Sequence, residues 1–174
     1  MIRRMIGAAL LQPSMFEEVE HDHTATLQAA MVVIIVAIAT ALGSYFTFGG
    51  NFIIAIAAGV VFGLVKWAIW AFITYIIGTK LFNTEGTHAT WSQMARGTAF
   101  SQAPGALFVF SALPIIGQFL LVMVSIWQLC AMTMAVKQVL DYRSMWRAVG
   151  VVVVGFIIVA VPIVIIQAMV GVPA

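Results

Sequence analysis

The charged residues of this chain are confined to a few short stretches, and that confinement decides what it can fold into. All six acidic residues lie before residue 27 or in the loops after about residues 78 and 136. Seven of the eight basic residues do the same, counting Arg96 at the head of the apolar stretch that follows the first of those loops. Between these stretches the chain is apolar for roughly 20 residues at a time, enough for an α-helix to cross a ~30 Å hydrocarbon core. Only 8% of the 174 residues are charged and 63% are hydrophobic, whereas average globular domains are roughly one quarter charged. A soluble fold of this size could not cover its surface with so few charges. The sequence predicts an all-α fold, a polytopic membrane bundle of five transmembrane helices with a short N-terminal interfacial helix.

Breakers and charges set the spans. The first runs from about Leu27 to Phe48 and stops at Gly49-Gly50-Asn51. The second, about Phe52 to Gly78, is longer than the core requires, so it tilts or protrudes. The third, about Gln93 to Leu113, is interrupted by Arg96, Ser101, Gln102 and Pro104 and closed by Pro114. The fourth is about Ile115 to Val136 and the fifth about Ala148 to Val170. This divides the chain into a cytoplasmic amphipathic segment, 1–26, and a five-span domain, 27–174. An odd number of spans puts the charged segments on one face. Gly49 to Asn51, the Pro114 turn and the tail 171–174 then share the uncharged face. Under the positive-inside rule the N-terminus is cytoplasmic and the C-terminus outside. Trp91 and Trp146 fall at the expected cytoplasmic ends, where interfacial aromatics gather.

The chain opens with apolar residues at Met1, Ile2, Met5, Ile6, Ala9 and Leu10, a helical stripe, with Arg3 and Arg4 off it. That pattern predicts an interfacial helix lying on anionic lipid head groups. Its apolar run ends at Gln12-Pro13 with no small-residue cleavage site, which argues against a signal peptide. Ser14 to Glu17 has the spacing of a capping box, and the acidic run Glu17 to Asp22 reads as a solvated helix face.

Lys66 is the sharpest anomaly. It lies near the middle of span two, where a charge costs roughly 2.5–3.5 kcal/mol on insertion scales, and no Asp or Glu lies inside any span to pair with it. Trp70, Gln128 and backbone freed near Pro104, with Ser101 and Gln102, are its candidate neighbours in an intramembrane polar site. That site would take an anion, a lipid head group or a proton; the alternative is a snorkelling or neutral lysine in a packed bundle. Ala55, Gly59 and Gly63 form a small-residue stripe for close helix packing, within the chain or between copies. Pro104 and Pro162 are expected to kink their spans.

His21-Asp22-His23 falls short of a metal site, and the sequence implies no metal and no cofactor. Cys130 is the single cysteine, so no intrachain disulfide forms. No catalytic signature such as HExxH, GxSxG, a P-loop or GxGxxG is present. A net charge of +2 is too small to suggest nucleic acid.

From span two onward the chain resembles the Yip domain family of five-span, Ypt/Rab-interacting-protein-like membrane proteins, prokaryotic type. The resemblance lies in Trp67 to Trp70 followed by Thr74 to Lys80, in Arg96 to Gly105, in Leu113 to Gly117, and in Ile126-Trp127, Ala135 to Gln138 and Asp141-Tyr142. Leu11 to Phe16 is similar to the entry segment of prokaryotic members. The resemblance implies a helical bundle with a cytosolic N-terminus, in a bacterial inner membrane. Eukaryotic relatives bind Rab-type GTPases through a long cytosolic N-terminal region. Only about 26 residues precede span one here, which argues against that partner. Lys66 stands where the family leads one to expect a small or apolar residue. Two readings follow: a non-enzymatic protein that organises or shapes the membrane, as a homo-oligomer or with other membrane proteins, or a small-ion, proton or lipid conduit built on Lys66.

Overall fold

The computed structural model describes residues 1–170, and among these every regular element is helical. Four helices are long and apolar enough to cross a membrane: α3 (Ala25–Phe48), α4 (Phe52–Ile76, extended by a π-helical turn Ile77–Leu81), α6 (Ile116–Val139) and α7 (Met145–Val170). The turn between α3 and α4 uses Gly49 and Gly50, both at positive φ, where a Cβ would be strained. Asn51 then caps α4, its Oδ1 accepting from Ile54 N at 3.1 Å. α7 continues past Pro162. The tail 171–174 lies outside the described residues.

The third predicted span is not a single α-helix. It starts as α5 (Trp91–Phe100), turns at Ser101-Gln102, and continues as a 3₁₀ helix, Ala103–Ala112. Pro104 accounts for the change, because continuing the α-helix would drive its ring into the Phe100 carbonyl. The larger rise of the tighter-wound 3₁₀ helix, ~2.0 Å per residue, lets two ten-residue pieces cover roughly 35 Å. The segment traverses the bundle parallel to α3, as a first and a third span must. Arg96 meets Thr26 at the head of α3, Gly105 packs on Val36 midway, and Phe108 and Ser111 lie against Gly43 near its end.

The N-terminal region departs furthest from expectation. α1 (Ile2–Ala9) does not lie alone on the surface; it folds back on α2 (Pro13–His21) as a helical hairpin. The apolar stripe Ile2, Ile6 and Leu10 is exposed, as the sequence predicts. The hairpin tip, however, enters the bundle. Trp127 is the twelfth of the 24 residues of α6, and its Nε1 donates to the Ala9 carbonyl at 2.6 Å. Ala8, Phe16 and Val19 share a core with Ala29, Val32, Phe100 and Ala135. The turn at the tip satisfies its own backbone, Leu11 N donating to Ala8 O and Gln12 N to Gly7 O, each at 3.0 Å. Re-entrant backbone survives at membrane depth only when paired in this way and buried in protein.

Two expectations about this region are corrected. The Ser14 capping box does not form, because Pro13 takes the first helical position and makes Gln12 the cap. Arg3 and Arg4 also pair with α2, the Arg3 side chain staying largely exposed. Both hydrogen-bond Glu18, at 2.8–2.9 Å, and Arg4 also binds Asp22 at 2.6 Å and Gln28 at 3.2 Å. The acidic run is therefore not a solvated face: Glu18 and Asp22 are paired and Glu20 is buried.

α4 is the edge of the bundle. Of its 25 residues only Ala71 and Thr74 are buried; its first half meets the bundle along a seam with α3, and its second half also packs through Trp67 on α5 and through Trp70 on α6 and α7.

Candidate functional site: a lateral groove beside Lys66

Small residues create the seam between α3 and α4. A Cβ added at Gly59 would lie 3.0 Å from the Ala41 Cβ, and one at Gly63 2.9 Å from the Ala37 Cβ. The GxxxG stripe is thus spent on packing within the chain, and Ala55 extends it along the same seam. Close approach of backbones built from Ala and Gly leaves little side-chain volume to fill the space above them. The result is a groove of about 300 Å³, lined by Ala37, Thr40, Ala41, Gly63, Lys66 and Gln102 among others. Thr40 Oγ1 donates back to Val36 O at 2.8 Å.

The pairing of Gly63 with Ala37 and Gly59 with Ala41 sets an antiparallel register. It puts Lys66 roughly level with Ile34, in the half of α3 nearer the charged end. Side chains on a helix lean toward its N-terminus. In α4 that is the uncharged end, so Lys66 leans into the groove and away from the nearer interface. Snorkelling toward the charged end would have to work against this stereochemistry. Lys66 is exposed and has no carboxylate partner among the described residues.

The structure divides the remaining predicted neighbours. Gln102 lines the groove with Lys66. Trp70 turns the other way, its Nε1 donating to Met132 Sδ at 3.3 Å and its ring tilted on Phe156 at 4.7 Å. Ser101 Oγ donates to Thr98 O at 2.8 Å and lies 3.5 Å from the same sulfur. Gln128 Nε2 donates at 3.0 Å to the Gln102 carbonyl, which also accepts from Gly105 N at 2.7 Å. Gln128 is thus engaged by the backbone of the Pro104 break and not by Lys66.

Arg96 is the residue sequence reasoning took for an interruption and the fold uses as a keystone. It is 2% exposed. Nε donates to Val19 O at 2.8 Å, Nη2 to Glu20 O, and Nη1 to Thr26 Oγ1 at 3.3 Å. These carbonyls end α2, so the guanidinium fills the place that favours a cation, a helix C-terminus. Beside it Glu20 is 4% exposed, with Oε1 accepting from Gln93 Nε2 at 2.9 Å. Gln93 also completes a true capping box with Thr90 at the head of α5. Burial pushes the Glu20 carboxyl up to about 7.

A pH dependence follows. Folding favours protonated Glu20, so stability is greatest below the ordinary value of 4.5 and declines as pH rises toward about 7, beyond which it is flat. Glu20→Gln keeps the acceptor for Gln93 and removes the titration. Thermal unfolding in detergent should find the variant more stable than wild type at pH 8, by about 3 kcal/mol, and equal to it near pH 4. Parallel pH profiles would refute this.

The profile of the Yip1 domain matches residues 8–166. No curated protein and no solved structure matches the chain significantly.

Proposed function

This chain belongs to the Yip1 domain family, and from that premise we propose that it is a non-enzymatic subunit of a membrane complex, docking a partner's transmembrane helix in the α3–α4 groove. The observation that carries this reading is Lys66, an unpaired cation leaning into a groove on the edge helix of an otherwise packed bundle. In hydrocarbon such a charge is satisfied by a carboxylate. All six acidic residues of the chain lie outside its spans, so a second copy cannot supply one at that depth. The partner is a different protein with an Asp or Glu in a span. The positive-inside rule supports a cytoplasmic charged face, and the likeness of Leu11 to Phe16 to the entry segment of prokaryotic members supports an inner membrane as the setting.

A photo-crosslinking residue at Phe62, which lines the groove and is exposed, should trap a protein adduct in native membranes. Lys66→Met should reduce that adduct roughly tenfold or more while leaving the isolated protein at least as heat-stable as wild type. An adduct unaffected by Lys66→Met would remove the docking reading. The conduit reading is tested separately, by liposome flux of protons, anions and lipids: flux that Lys66→Met abolishes would favour it.

A further inference from the structure

At the charged end of the bundle lies a cleft of about 580 Å³, distinct from the groove. Asn83, Thr84 and Glu85 line one side; Asp141, Arg143 and Arg147 line the other. Its walls are pinned. Tyr142 Oη donates to the carbonyls of Gly78 and Phe82 at 2.9 and 3.0 Å, tying the α6–α7 turn to the end of α4. Thr87 Oγ1 accepts from Thr84 N at 3.2 Å and donates to Leu140 O at 3.4 Å. The shape is set by these bonds.

The charges in the cleft are unbalanced in position though not in number. Arg143 and Arg147 flank the first turn of α7, which contains no acidic residue. A helix N-terminus disfavours cations, and neither guanidinium has a carboxylate partner among the described residues. Two guanidinium forks beside free helix N–H groups are matched by a phosphate. Glu85 and Asp141 face the same space, likewise without an ion-pair partner among the described residues. They would repel a bare anion and suit a ligand that also carries a cation. Trp146, next to Arg147, is 81% exposed, as an aromatic anchor at head-group level is.

We propose that this cleft binds the head group of an aminophospholipid, the phosphate held by Arg143, Arg147 and the α7 N-terminus, and the primary ammonium by Glu85 and Asp141. A choline head group has no N–H to donate to the carboxylates, and a glycerol head group has no cation. Neither the family match nor Lys66 enters the proposal.

The test uses the full chain in nanodiscs containing phosphatidylethanolamine, phosphatidylcholine and phosphatidylglycerol with the same acyl chains. Lipid retained after gentle release is read by native mass spectrometry. Phosphatidylethanolamine should be retained roughly tenfold over phosphatidylcholine, the scale of one charge-assisted hydrogen bond. Arg143→Gln with Arg147→Gln should abolish retention of all three. Glu85→Gln with Asp141→Asn should equalise phosphatidylethanolamine and phosphatidylcholine while sparing phosphatidylglycerol. Equal retention of these two lipids by wild type, or retention unchanged in the arginine pair, would overturn the proposal. So would O-phosphoethanolamine binding in detergent as tightly as the lipid, since the ligand would then be the free compound. Should a double variant fail to fold, a wild-type series of successively N-methylated head groups decides the matter: retention must fall as N–H donors are lost.

Discussion

Replacing Arg96 by methionine is expected to unseat the N-terminal hairpin and to destabilise the protein by about 3–5 kcal/mol, the usual range when one partner of a buried charged network is removed. Methionine fills much of the same volume, so the loss is polar rather than a cavity. Two carbonyls at the end of α2 and the Thr26 hydroxyl would lose their donor inside the core. The Glu20 carboxyl would lose its nearest buried cation. Lysine at the same position should recover only part of the deficit, because an ammonium cannot reproduce a fork that serves three acceptors on two elements. Thermal unfolding in detergent gives the magnitude. Limited proteolysis gives the location, with new cleavage between about residues 12 and 24 in the variant. A variant that unfolds like wild type and resists cleavage there would show that the hairpin seats without Arg96.

Gly43→Ala is the second large effect. A Cβ at this position would lie 2.2 Å from Ser111 Oγ and 2.3 Å from the Phe108 carbonyl oxygen. Serine can rotate away, but the carbonyl belongs to the 3₁₀ backbone, so the helices must separate. The expected cost is about 2–3 kcal/mol, the upper range for overpacking a core. Gly86→Ala is the control, because nothing lies within 4 Å of that position; it should shift stability by less than about 0.5 kcal/mol. Equal unfolding temperatures for the two variants would mean that the 3₁₀ segment yields, and that the seam with α3 is looser than described.

Why a 3₁₀ helix lies there bears on what the sequence could reveal. Pro104 with Ser101 and Gln102 announced a disturbed span, and hydropathy alone supported a crossing. What no local pattern could reveal was that Gln128 from another helix would bond the Gln102 carbonyl at the break. The four long spans were legible because each is a problem a segment solves alone: enough apolar residues, ended by Gly, Pro or charge. Arg96 was legible only as a misfit. Its role depends on α2 returning to it from 77 residues away. The same distance effect misled the reading of the acidic run, whose residues look solvated until the arginines of α1 and the face of α5 are brought against them. Thr90 to Gln93, by contrast, is a capping box whose spacing stands in the sequence, while the similar spacing at Ser14 to Glu17 fails because Pro13 claims the first turn. Lys66 and Gln102 were grouped from sequence and share a groove. Trp70 stands one helical turn from Lys66, Ser101 beside the Pro104 break and Gln128 at matching depth, and none of these says which neighbour a side chain reaches.

The N-terminal hairpin is made before the socket that receives it. Its tip is held by Trp127, 118 residues further along the chain, and its base by Arg96. At synthesis rates of about 5–20 residues per second, on the order of ten seconds separate the emergence of Ala9 from that of Trp127. During that interval α1 has its exposed apolar stripe but no bundle to enter, and the membrane surface is the only place for it to wait. α1 is therefore made well before it can be seated, and its arrival reports that α5 and α6 are already in place.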